Sequence, residues 1–228
     1  MHSNKDNLLV LFEDNHIIIV NKRPGDITQG DKTGDIPLSE VVKGYLKDKY
    51  KKQGNVFLGV VHRIDRPTSG VIIFAKTSKS LERLNKMLRD KEIQKTYWAI
   101  VKNHPEKEAA MLINFLKKNP INNKSAVYNK EIEGSKKAIL HYKVAQKFDN
   151  YSLLEINLET GRHHQIRSQL AAIGFPIKGD VKYGFPRSNK DASIHLHSRK
   201  IEFVHPVSKE LISIFAPTPD EVIWNECN

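Results

Sequence analysis

In the stretch HRIDRPTSG, residues 62–70, one carboxylate, Asp65, stands between Arg63 and Arg66, directly before the apolar run Val71 to Ala75. A carboxylate carried into partly dry surroundings tends to take up a proton, because desolvation disfavours its charged form, and neighbouring cations oppose that tendency. An acid flanked by arginines is therefore suited to staying ionised beside a reacting group. On this stretch alone, an Asp that only caps a turn is the better explanation. Two further clusters have chemical character: Lys95-Thr96-Tyr97 and the run TGRHHQIR, residues 160–167. His195 and His197, two apart on a strand, share one face and raise a metal-dependent or two-histidine phosphoesterase. That chemistry wants a second His-x-Thr/Ser, or a third ligand with an open position for water. Neither is evident, and hydrogen-bonded structural histidines fit the pair better.

The elements that must position these residues follow from periodicity and breakers. Leu8 to Phe12 and Ile17 to Asn21 read as a strand–turn–strand, and Pro24-Gly25 opens a loop that contains Gly30 and Gly34. Helical spacing runs from Pro37 to Lys52, with Leu38, Val41, Val42, Tyr45 and Leu46 on one face. Phe57 to Val61 is a short strand, and Val71 to Ala75 has the unbroken apolarity of a strand covered on both faces. Ser78 is expected to cap a helix that turns Leu81, Leu84, Met87 and Leu88 inward. Lys95 to Val101 alternates as a strand. Residues from about 102 to 137 are polar and rich in Lys and Asn, and read as an excursion over the surface. Ile139 to Ala145 and Leu153 to Leu158 are strands. His163 to Ile173 fits a short helix with Ile166, Leu170 and Ile173 inward and Gly174 as its stop. Ile194 to Val204 and Leu211 to Ala216 close the chain. Several strand pairs look like hairpins, so the expected fold is α+β, a mixed and largely antiparallel sheet flanked by helices and loops, in a single domain over residues 1–228.

A formal net charge of +11 across 228 residues points to an anionic partner, of which nucleic acid is the commonest. The single cysteine, Cys227, excludes an intrachain disulfide and a cysteine-based zinc cluster, which suits a reducing compartment. The N-terminus lacks a signal-peptide core, and the apolar runs are too short to span a bilayer. A cytoplasmic protein is expected, and a monomer, since no long apolar seam is left over.

Taken in order, the clusters resemble the RluA-type family of RNA pseudouridine synthases over nearly the whole chain. LFEDNHIIIVNKRPGD is similar to the family's first motif, with Asn21-Lys22-Arg23-Pro24-Gly25 where NKP-G is usual. HRIDRPTSGVIIFAK is similar to its catalytic motif, with Ile64 where leucine is commoner. KTYWAIV resembles its tyrosine motif, LETGRHHQIRSQL its arginine motif, and IHLHSRKIEFVHP its closing strand.

The resemblance implies an isomerase that breaks the bond between ribose and N1 of a uridine, turns the uracil and rejoins it through C5, in ribosomal or transfer RNA. No atoms enter or leave and no electrons are transferred, so neither a cofactor nor a metal is required. By resemblance Asp65 is the reactive carboxylate, Arg167 its ionic partner, and Tyr97 lies against the extruded uracil. Arg63 enters the RNA where the target base has been turned out, a step that costs a few kcal/mol, by order of magnitude. His62, Arg66 and Arg162 are expected to contact RNA. Lys117 and Lys118, with Lys124, Lys136 and Lys137, are placed to follow its backbone. Two departures stand out. Ser168-Gln169 follows Arg167 where a histidine is common, and the first motif begins at residue 8, which leaves no room for the small S4-like RNA-binding domain that precedes it in many relatives. A catalytically inactive RNA-binding protein is the remaining rival, and it would normally show a replaced Asp65, Tyr97 or Arg167.

Overall fold

The computed structural model describes residues 2–30 and 34–227; residues 31–33 of the loop expected between Gly30 and Gly34 lie outside them. Along the chain run β1 (Val10–Glu13), β2 (Ile17–Lys22), α1 (Leu38–Lys49), β3 (Gly59–Val60), β4 (Ser69–Ala75), α2 (Ser78–Arg89) and β5 (Gln94–Lys102). There follow β6 (Ala109–Asn119), β7 (Lys124–Tyr128), β8 (Lys136–Lys147), β9 (Tyr151–Leu158), α3 (Gln165–Ala172), a 3-10 turn (Val181–Tyr183), β10 (Leu196–Val204), β11 (Leu211–Phe215) and α4 (Val222–Asn225). The chain forms two compact units. One comprises residues 1–95 and 198–224, the other residues 96–197 and 225–228. No described helix is long and apolar enough to cross a membrane.

In the first unit β2 lies antiparallel between β1 and β4, with Ile17 opposite Ala75 and Lys22 opposite Gly70. Every residue of β2 and β4 is buried, because each face of the pair is covered. On one side Ile18, Val20, Ile72 and Phe74 meet Leu38, Val42 and Leu46 of α1. On the other Ile17, Ile19, Val71 and Ile73 meet Leu84 and Met87 of α2, together with Ile201 and Phe203 of β10. Covering both faces is the physical reason for the unbroken apolar runs. β11 adds to β10 in antiparallel register. The cap of α2 is Thr77, one residue before the expected Ser78: Thr77 has extended backbone and its hydroxyl oxygen accepts from the Ser80 N–H.

In the second unit β5, β9, β8, β6 and β7 stand side by side in that order, each pair antiparallel. Residues 102–137, expected as a surface excursion, carry β6 and β7, a hairpin that extends this sheet. α3 begins at Gln165 rather than His163, and Ile173, expected inward, is its C-cap and is 38% exposed. Ile166 and Leu170 do point into the core.

Candidate active site

Asp65 is half-buried on a turn that the first unit holds in several ways. The turn closes on itself where the Thr68 N–H donates to the Asp65 carbonyl at 3.0 Å. Its next carbonyl, that of Arg66, accepts from the Gly25 N–H at 2.9 Å and from Lys22 Nζ at 3.0 Å. Gly25 is free to make that contact because it sits at φ +91, a conformation open to glycine. Lys22 is fully buried at the end of β2, and its ammonium donates to the carbonyls of Arg23, Asp26 and Arg66 at 2.9, 2.8 and 3.0 Å. Three acceptors match its three N–H bonds. Burial pulls the Lys22 pKa down to about 7, against the opposing carboxylates of Asp26 and Asp65. The NKRPGD motif thus clamps the HRIDR turn by its backbone, and leaves the Asp65 carboxylate facing a cation.

At the other end of the turn Gly70 permits the entry into β4. Its φ is +113, and a Cβ there would stand 2.3 Å from the Ser198 carbonyl oxygen. No larger residue fits without moving β10.

The flanking residues divide by role. The His62 ring accepts from the Ile73 N–H at 3.2 Å, and burial, followed by the charge of Lys95, lowers its pKa to about 3. It is a neutral imidazole bound to the β4 backbone, a structural position for a residue expected to contact RNA. Arg63 is exposed. Arg66 pairs at the surface with Asp35 at 2.7 Å, an exposed contact that contributes about 0–1 kcal/mol.

The second unit carries Tyr97, Arg162 and Arg167. Tyr97 is 6% exposed on β5, opposite Ile156 of β9. Arg167 is 4% exposed, and its guanidinium is gripped by Asp180, Nε to Oδ2 at 2.7 Å and a terminal nitrogen to Oδ1 at 2.8 Å. Such a two-pronged pair fixes the plane of the guanidinium as well as its charge. The Tyr183 ring lies below it, 5.2 Å from the guanidinium carbon. The Tyr183 hydroxyl accepts from the Ser125 N–H of β7 at 2.8 Å and stands 2.9 Å from His164 Nδ1. His164 itself takes a left-handed conformation, φ +51, and stacks on His163 at 3.8 Å.

Gln165 folds the turn that leads to Arg167. Its Oε1 accepts from the Arg162 N–H and the Thr160 hydroxyl, and its Nε2 donates to the Ile139 carbonyl. Gln169, which stands where a histidine was expected, is fully buried and donates to Asn114 Oδ1 at 2.8 Å. Asp180 and Tyr183 are positioning residues that motif reading did not pick out. Their one visible signal is the run Gly179-Asp180-Val181-Lys182-Tyr183-Gly184, in which both glycines have positive φ.

The lysines also separate. Lys118 and Arg162 line one cavity of the second unit, whereas Lys117, one residue along β6, starts from the alternate face and brings its ammonium end beside Gly134. Of the two histidines expected on one strand, His197 lies in β10 whereas His195 precedes it, within hydrogen-bond distance of Asn189 at 3.0 Å and Lys178 at 3.4 Å.

The RNA pseudouridylate synthase family model matches residues 16–172, a span that includes Asp65, Tyr97 and Arg167. The chain is 33% identical over 215 residues to an uncharacterized RNA pseudouridine synthase of Synechocystis, covering 92% of this chain and 65% of that protein. It is 32% identical over 214 residues to the ribosomal large subunit pseudouridine synthase C of Vibrio cholerae, covering 91% and 65%. The chain therefore spans just under two thirds of the length of these relatives. Among solved structures, human RNA pseudouridylate synthase domain containing 4 superimposes with a TM-score of 0.79 at 20% identity, over 95% of this chain and 90% of that one, a likeness of fold. The α+β, antiparallel architecture agrees with it, and on the family match and the identities the chain belongs to the RNA pseudouridylate synthases.

Proposed function

We propose that this chain converts uridine to pseudouridine in structured RNA, as a single catalytic domain. The observation that carries the reading is the Asp65 turn, a half-buried carboxylate whose backbone is held by Lys22 and Gly25 and whose charge faces the Lys22 ammonium. Asp65 is the reactive carboxylate, with Arg167 as its cationic partner and Tyr97 against the uracil. The Lys22 clamp supplies preorganisation: a carboxylate on a fixed turn needs little rearrangement when the substrate arrives. The aligned oxygens of Asp180 hold Arg167 in one orientation, so the cation is not lost to solvent when RNA leaves.

Arg63, exposed beside Asp65, is the residue that takes the place of the extruded base. Arg66, Arg162, Lys117 and Lys118 contact phosphates. Ribosomal RNA is the favoured substrate, because relatives such as the Vibrio cholerae protein are named for the large ribosomal subunit; transfer RNA is the alternative. The chain acts as a monomer in the cytoplasm, needs no cofactor and no obligatory protein partner. Family membership favours isomerisation over phosphoester cleavage.

The test is pseudouridine mapping of total RNA from cells with and without the gene, rescued by wild type or by Asp65→Ala. The expected outcome is that one or a few sites vanish and that only wild type restores them. Restoration by the Asp65→Ala variant would overturn the assignment.

A further inference from the structure

A cavity of about 280 Å³ in the second unit is lined by Leu116, Lys118, Ser125, Lys136, Arg162 and His163, with Gly134 and Gly161 at its edge. Its construction follows from strand register. Lys118 pairs with Ser125 across β6 and β7, and Leu116 pairs with Lys136 across β6 and β8. Residues two apart on a strand, and residues directly opposite each other, point to one face. These four side chains therefore share a face, and the turn of residues 161–163 borders the same cavity. Two lysines and an arginine converge there without a single acid in the lining.

Elsewhere on the surface several lysines are matched by acids. Lys143 pairs with Glu155, Lys147 with Glu108 and Lys86 with Asp90. Among the described residues no carboxylate pairs with Lys118, Lys136 or Arg162. The Arg162 Nε–H donates to the Lys137 carbonyl at 2.9 Å, which pins the root of the guanidinium beside the cavity. Ser125 is 5% exposed, and its hydroxyl donates to the His163 carbonyl at 2.6 Å and lies 2.9 Å from His163 Nδ1, so the cavity's floor is fixed. Like charges brought together around a rigid concavity are uncompensated until an anion enters. The volume is at the small end for ligand pockets, which run from about 300 to 1,000 Å³, and suits one tetrahedral anionic group with its waters better than a whole nucleotide.

We infer that this cavity binds one phosphodiester group of the substrate RNA. The inference rests on the RNA-modifying reading above and deepens it by naming where a backbone phosphate sits. The cavity's floor continues into Arg167 by bonds within the same unit: Ser125 N–H to the Tyr183 hydroxyl, and the Tyr183 ring to the Arg167 guanidinium. Arg162 and His163 also lie in the turn that leads into α3 and Arg167. The phosphate held here accordingly belongs to the strand near the target nucleotide, and filling the cavity stiffens the turn that presents Arg167.

The experiment compares wild type, the double variant Lys118→Gln/Lys136→Gln, and Lys143→Gln, whose lysine pairs with Glu155 further along β8 and away from the cavity. RNA affinity is measured from low to moderate salt, and the backbone amides of Gly134, Gly161 and His163 are followed by NMR during titration with inorganic phosphate. Pseudouridine formation by wild type is scored separately, and thermal melts confirm that the variants fold. The double variant is expected to flatten the dependence of log affinity on log salt by about 0.7–0.9, one phosphate contact, and to lose the amide shifts that phosphate produces in wild type. Lys143→Gln should keep those shifts. A double variant with wild-type slope and wild-type shifts would overturn the inference while leaving the enzyme reading standing. Wild type that neither binds RNA nor forms pseudouridine would defeat that reading, and the inference with it.

Discussion

A guanidinium that is 4% exposed is costly to bury unless acceptors replace the water it has lost. For Arg167 two of those acceptors are the oxygens of Asp180, itself 1% exposed. Removing one partner of such a pair while the other stays buried is costly, about 3–5 kcal/mol. Asp180→Ala is therefore expected to lower the unfolding free energy by about that amount in a urea titration. Asp180→Asn, which preserves the shape and one acceptor, should lose less. A change within experimental error for the alanine variant would show that Asp180 does not hold the arginine. The carboxylate at residue 65 was legible in the sequence because its neighbours are local. Asp180 was not, because its partner lies thirteen residues away across a turn whose path only the fold reveals.

At the scale of elements, Glu13 of β1 ties α1 to the sheet. Its carboxylate accepts from Lys49 at 2.7 Å, and from Lys76 and the Tyr50 hydroxyl at 2.8 Å each. Burial alone would raise its pKa, but the bonds from Lys49, Lys76 and Tyr50 outweigh that and bring it to about 2, below an ordinary value of 4.5. A carboxyl depressed on folding stabilises the folded state fully above its unfolded pKa and loses that contribution as pH falls through the folded one. Melting temperature should thus decline between pH 4.5 and about 2, and Glu13→Gln should flatten that limb. An unchanged acid limb would contradict the account. β2 and β4 could be read from sequence because burial on both faces leaves an unbroken apolar signature. The hairpin β6–β7 could not. Around Lys117-Lys118 and Asn122-Asn123-Lys124 most side chains of both strands meet solvent, so no alternation of apolar and polar residues betrays the pairing. The left-handed His164 likewise delays α3 by two residues, a conformational choice that helical periodicity does not record.

For the molecule as a whole, the net charge of +11 and the five motifs in family order point the same way as the family match over residues 16–172. The charge is not spread evenly in its effect. Many cations are neutralised by nearby acids, and those that are not include the three around the cavity of the second unit. Fold class and family were therefore open to a reading of the sequence, since both rest on motif order and strand patterning. The sorting of Lys118 from Lys117, and of His62 from Arg63, required the side-chain directions. The central claim is that Asp65 performs the chemistry and does not merely shape its turn. The most direct measurement incubates purified wild type and Asp65→Asn with unmodified ribosomal and transfer RNA transcripts, then maps pseudouridine at single-nucleotide resolution. The account predicts product at defined uridines with wild type, and none with Asp65→Asn, although the variant binds the same RNA and melts at a similar temperature. Product formed by the Asn variant, or none formed by wild type on either RNA, would contradict it.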